Sequence, residues 1–131
     1  MKTFILALGW WNLVGSFLML GFLNESFGRK MLNEWTKIFA NEFRLEYWSR
    51  LWLFWAAGMN IFFGLINIMA AAWDFTPLTR FLVLSDLVSY AAFLALAVRA
   101  RVKGQLGIGG YSVLVIFTGW LLWGVSTLVA R

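Results

Sequence analysis

The sequence predicts an all-α polytopic membrane protein, a four-transmembrane-helix bundle with an amphipathic interfacial helix between helices 1 and 2. Three observations carry this reading. The 131 residues are 62% hydrophobic and only 13% charged, where an ordinary soluble domain is about 45–50% apolar and roughly 25% charged. Windows long enough for a spanning helix, about 20 mostly apolar residues, recur at Thr3–Leu23, Leu51–Trp73, Leu78–Val98 and Ile108–Ala130. Between the first two lies a charged stretch whose apolar residues keep helical spacing. A water-soluble fold of this size has no interior for so much apolar surface, so the chain reads as a single membrane domain, residues 1–131.

The first window resembles a signal peptide only in position. Its apolar run is longer than an h-region and no small-residue cleavage site follows it, so it is expected to stay as a helix. The connector from Asn24 to Arg50 is long but patterned. Met31, Leu32, Trp35, Ile38, Phe39 and Phe43 fall on one helical face, and Lys30, Asn33, Glu34, Lys37, Asn41 and Arg44 fall on the other. An amphipathic helix over about residues 29–47 follows, either lying in the membrane interface or packed on the end of the bundle. Trp48, Trp52 and Trp55 line one side at the start of the second window and Trp73 marks its end, as interfacial anchors do. Asp74–Thr79 reads as a tight turn, with Thr76 as N-cap and Pro77 as first helical residue of the third span. The link Arg99–Gly107 is short, basic and glycine-containing.

Bases set orientation. Arg29, Lys30, Lys37, Arg44, Arg50, Arg99, Arg101 and Lys103 lie on one side of the bundle, against Lys2, Arg80 and Arg131 on the other. Lys and Arg favour the cytoplasm, which predicts both termini outside and the 24–50 connector inside. The same bases account for the net charge of +5. They meet lipid headgroups rather than nucleic acid, because no basic run with interleaved aromatics forms a module.

The chemical inventory is short. The chain has no cysteine and no histidine. This removes thiol and iron–sulfur chemistry, a serine–histidine triad, a zinc hydrolase and a bis-histidine haem site. Four of the six carboxylates, Glu25, Glu34, Glu42 and Glu46, share the first connector. Asp86 is the only ionisable side chain well inside an apolar window. A carboxylate at a helix centre costs about 2.5–3.5 kcal/mol on insertion scales, and no Lys or Arg in the apolar parts of the spans is there to neutralise it. Either the carboxyl is neutral and donates to Asn67 or a serine, or it lines a hydrated cavity and binds a proton or cation.

Small and polar residues mark an inward side on each span, because helices in lipid associate through close approach and hydrogen bonds. These are Gly9, Asn12 and Ser16 on the first; Ala57, Asn60, Gly64, Asn67 and Ala71 on the second; Ser85, Asp86, Ser89 and Tyr90 on the third; and Ser112, Gly119 and Ser126 on the fourth. Counting from the turn at Thr76–Pro77 puts Asn67 and Asp86 at matching depth, Asp86 about 9 Å below Arg80 at ~1.5 Å per residue. Ser126 and Thr127 reach a similar level, and Asn12 lies about one turn deeper. The candidate polar layer is therefore Asp86, Asn67, Asn12, Ser126, Asn60, Ser89 and Tyr90. Trp10, Trp11, Trp120 and Trp123 lie deep enough either to pack between helices or to line an apolar pocket.

The run WNLVGSFLMLGF, the amphipathic connector and then RLWLFWAAGMNIFFGLINI resemble small bacterial four-helix membrane proteins of the DoxX-like and BphX-like kind. The resemblance covers the whole chain in architecture. It implies a bacterial inner-membrane protein, often of undefined activity and sometimes encoded among oxidation or aromatic-degradation functions. DoxX-like proteins often carry an acid in the second helix, where this chain has Asn60, so no functional residue is carried over. Small multidrug transporters place a glutamate in their first helix, which here has no acid.

The leading expectation is a non-enzymatic membrane component, an accessory, assembly or self-associating protein without cofactor or metal. Its partners would be the bilayer and a homo-oligomer or larger membrane complex. Two further readings stay open. One is a small oligomeric transporter or channel with Asp86 as the coupling carboxylate, and the other is a binder of a quinone or lipid between helices.

Overall fold

The computed structural model describes residues 1–35, 46–73 and 76–130. Among these residues every regular element longer than a single bridge is helical. The order is α1 (Lys2–Gly21), α2 (Glu25–Trp35), α3 (Tyr47–Trp73), α4 (Thr76–Val102) and α5 (Ile108–Val129). All but α2 are long and apolar enough to cross a membrane. The long helices overrun the apolar windows because a helix does not stop where hydrocarbon stops; it stops where the backbone is told to. Thus α3 starts four residues before Leu51, and α4 runs from Thr76, with Pro77 in its first turn, past Val98 to Val102.

The stop signal of α4 is Gly104. Its φ of +67° is a left-handed conformation that costs any residue with a Cβ. Gln105 N–H donates to the Ala100 carbonyl at 2.9 Å and Gly104 N–H to Arg101 at 3.0 Å, the paired bonds of a Schellman cap. Arg101 then lies over the Tyr111 ring at 5.7 Å, tying the end of α4 to the start of α5.

Helix α1 ends at Gly21, two residues short of the expected Leu23, because Asn24 opens a new helix. The Asn24 side-chain oxygen accepts from Phe27 N–H at 3.2 Å and from the Ser26 hydroxyl at 2.8 Å, a side-chain N-cap. Phe22 and Phe27 meet edge to face at 6.0 Å across this corner, and Glu25 pairs with Arg29 at 2.6 Å. Helix α2 therefore begins a turn before the expected residue 29, and it packs against α5. Ile38, Phe39 and Phe43 of the expected amphipathic face lie outside the described residues, as do Asp74 and Phe75 of the turn and the side chains of Leu32, Trp35 and Trp48.

The long helices form two antiparallel pairs. Contact is most extensive between α1 and α3, then between α4 and α5, while the two pairs touch along a narrower seam. Glycine sets the first pair. A Cβ on Gly64 would sit 2.9 Å from the Gly9 carbonyl oxygen, and one on Gly9 would sit 2.8 Å from that of Gly64. The backbones cross in direct contact, as small residues allow in lipid. Phe4, Ile5 and Leu8 of α1, Ala70 and Ala71 of α3 and Leu82, Val83 and Tyr90 of α4 close the seam near the α3–α4 turn. No residue of α4 beyond Tyr90 is buried. Elsewhere large apolar side chains stand outward all round, Phe17 at 74% and Trp52 at 62% exposed among them. That surface suits hydrocarbon rather than water.

Candidate functional site

The seam brings Asn67 and Asp86 together. Asn67 projects from α3 within the stripe Ala57, Asn60, Gly64, Asn67, Ala71, every member of which is buried or half-buried. It is 1% exposed. Its amide Nδ2 donates to Asp86 Oδ2 at 3.4 Å, and its Oδ1 is buried with no partner among the described residues. Asp86 is half-buried on α4. Equal counts from the α3–α4 turn thus translate into one long interhelical hydrogen bond.

The other expected members of the layer go elsewhere. Asn60 faces α1, where its Nδ2 donates to Met19 Sδ at 3.3 Å and to the Ala56 carbonyl at 3.0 Å. Asn12 is half-buried, and Ser16, 1% exposed, donates to the Leu13 carbonyl. On α4, Ser85 and Ser89 are exposed rather than inward, and Ser89 donates back to the Ser85 carbonyl at 3.1 Å. Tyr90 does turn inward and is buried.

Helix α5 is rotated away from expectation. Ser112, Gly119 and Ser126 are exposed, and Ser126 donates to the Trp123 carbonyl at 2.7 Å instead of reaching Asp86. The buried glycines of the helix are Gly110 and Gly124, and at Gly124 a Cβ would lie 2.5 Å from Leu87 Cδ2 and 2.8 Å from Phe4 Cζ. At about 100° per residue the Ser112–Gly119–Ser126 row lies on the opposite side of the helix from Gly124. Two small-residue faces compete on α5, and the bulk of Leu87 and Phe4 selects the one that holds Gly124.

An aromatic column accompanies the pair. Tyr90 stacks on Phe117 at 5.2 Å and on Trp120 at 6.2 Å, and Phe93 stacks on Phe117 at 5.7 Å. Trp120 continues to Trp123 at 5.4 Å and to Trp11 at 5.9 Å, and Phe4 closes edge to face on Trp120 and Trp123. Trp120 therefore packs between helices, whereas Trp11 and Trp123 touch it while staying exposed and Trp10 faces outward. Phe93 and Phe117 were not singled out from sequence. Their signal is the spacing Asp86, Tyr90, Phe93, which puts an acid and two rings on one face of α4.

Among the described residues no group of three or more His, Cys, Asp or Glu side chains comes together. Comparison of the chain with protein families, curated proteins and solved structures finds no match.

Proposed function

We propose that this protein is a non-enzymatic integral membrane component that works by self-association through the outward face of α5. The observation behind this reading is the exposed row Ser112, Gly119, Ser126 on the least covered span. Only 6% of the apolar window of α5 is buried, against 28% in α1. A Cβ on Gly119 would have nothing within 4 Å. In lipid such residues are useful where another helix approaches closely. Copies inserted in one membrane share one orientation, so two α5 helices related by a two-fold axis along the membrane normal would run parallel, each row against its own counterpart.

The absence of cysteine and histidine from the sequence and the scarcity of buried acids support a role without catalysis. The base distribution and the resemblance to DoxX-like proteins support a bacterial inner membrane with both termini outside. The amphipathic α2, packed against α5, would then lie at the cytoplasmic interface.

The chain contains no native cysteine, which makes the test direct. Single variants Ser112→Cys, Gly119→Cys and Ser126→Cys should form disulfide-linked dimers in oxidised membranes. Val113→Cys and Thr127→Cys, at half-buried positions of the same helix, should not. Equal cross-linking at all positions, or products of another mass, would overturn self-association through this face.

A further inference from the structure

The Asn67–Asp86 pair is rich in acceptors and poor in donors. Against the single amide donor in use it presents both carboxyl oxygens of Asp86 and the Oδ1 of Asn67, which is buried and has no partner among the described residues. A proton on Asp86 does not cure this. With the amide as it stands, Oδ1 is still orphaned. With the amide turned, Oδ1 takes the acid's proton and the buried Nδ2 is orphaned instead. What the pair lacks is a cation that brings several N–H donors of its own. The two helices of the pair supply none: α3 has no basic residue after Arg50, and α4 has none between Arg80 and Arg99.

The surroundings indicate the rest of such a ligand. Asp86 is half-buried and is the more open member of the pair, since Asn67 is buried. Tyr90 and Phe93 follow it on the same face of α4, and Phe93, 54% exposed, is the open end of the ring column with Phe117 and Tyr90. The distance from Asp86 to Phe93 along the helix is about 10 Å at 1.5 Å per residue. Aromatic faces attract cations and flat apolar bodies alike, and in a low-dielectric seam a carboxylate holds a cation far more strongly than in water.

We infer that the α3–α4 seam binds a lipophilic ammonium, its N–H groups on Asp86 and Asn67 Oδ1 and its apolar body along Phe93, the exposed end of the ring column. This site does not depend on α5 association, so either can fail without the other.

The test uses the full chain in nanodiscs of zwitterionic lipid. The probes are a dansylated pentylammonium and its neutral alcohol analogue, followed by energy transfer from tryptophan. The ammonium should bind saturably and at least tenfold tighter than the alcohol. Asp86→Asn, which keeps an acceptor for Asn67, should erase that preference, and Asp86→Glu should retain it. Asn67→Leu should weaken ammonium binding several-fold. Equal binding of both probes, an unchanged preference in Asp86→Asn, or no saturation would overturn the assignment. Thermal unfolding of each variant identifies loss of fold, in which case the Asp86→Glu and Asn67→Leu results decide.

Discussion

At the scale of single residues, the polar atoms and the glycines act in opposite ways. The amide oxygen of Asn67 is buried and has no partner among the described residues, and an unsatisfied buried group costs about 1–3 kcal/mol. Interhelical hydrogen bonds in membranes average only ~0.6 kcal/mol, and the 3.4 Å separation here is long. The pair therefore fastens α3 to α4 only modestly. Asp86→Leu should destabilise the fold by about 1 kcal/mol, because it leaves both ends of the amide without a partner. Asn67→Leu added to it should restore most of that loss, read as unfolding in a graded denaturing detergent. An additive, larger loss in the double variant would mean that the two side chains do not act as a pair. The glycines contribute more through contact. Gly64→Ala drives a methyl against the Gly9 carbonyl oxygen and Leu13, so it should cost about 1–3 kcal/mol. Gly58→Ala, with nothing within 4 Å of the new methyl, should be neutral or stabilising by up to about 1 kcal/mol. Melting temperatures of the two variants in one detergent compare them directly.

At the scale of elements, the ends and the rotations of the helices have different origins. Ends are local. Gly104 terminates α4 through its own left-handed backbone and two cap hydrogen bonds. Gly104→Ala should cost about 1–2 kcal/mol from conformation alone, since no atom lies within 4 Å of the added carbon. Gly119→Ala should leave monomer stability unchanged or improved, because Gly119 is helical and open. The same distinction explains what the sequence discloses. The spans are legible because some 20 apolar residues in a row have few alternatives to a membrane helix. The meeting of Asn67 with Asp86 is legible because only two residues separate the end of α3 from the start of α4, so equal counts from that point give equal depth. The inward face of α3 is legible because it is the one stripe of small and polar residues on that helix. The rotation of α5 is not legible, because it carries small residues on two faces. What chooses between them is the shape of Leu87 on α4 and Phe4 on α1, information held by other helices. Ser85 and Ser89 mislead for a related reason. A hydroxyl that can bond its own helix carbonyl, as Ser89 does, needs no partner across the seam.

At the scale of the whole molecule, orientation in the membrane is a property of the summed charge at the two ends. Arg29, Lys30, Arg50, Arg99, Arg101 and Lys103 are all exposed at the end where α1 and α4 finish. Lys37 and Arg44 belong to the same connectors in sequence. With that end cytoplasmic, Ser26→Cys and Lys103→Cys should resist a membrane-impermeant maleimide in intact cells and react once the membrane is permeabilised. Thr76→Cys, exposed at the opposite end, should react in intact cells. The margin is unequal between the two connectors, and this gives a sharper outcome. Neutralising Arg99, Arg101 and Lys103 to Gln leaves Arg29, Lys30, Lys37, Arg44 and Arg50 against Lys2, Arg80 and Arg131, so the orientation should hold. Neutralising the five bases of the first connector instead leaves three against three, and both labelling patterns should then appear in one population. Orientation follows the Lys and Arg bias of short flanking loops, so a uniform population after the second change would place the determinant somewhere other than these bases. A mixed population would also dilute parallel α5–α5 contact, because oppositely inserted copies cannot bring the Ser112–Gly119–Ser126 rows together in parallel. Dimer cross-linking at Gly119→Cys should therefore fall in the same membranes in which the labelling becomes mixed.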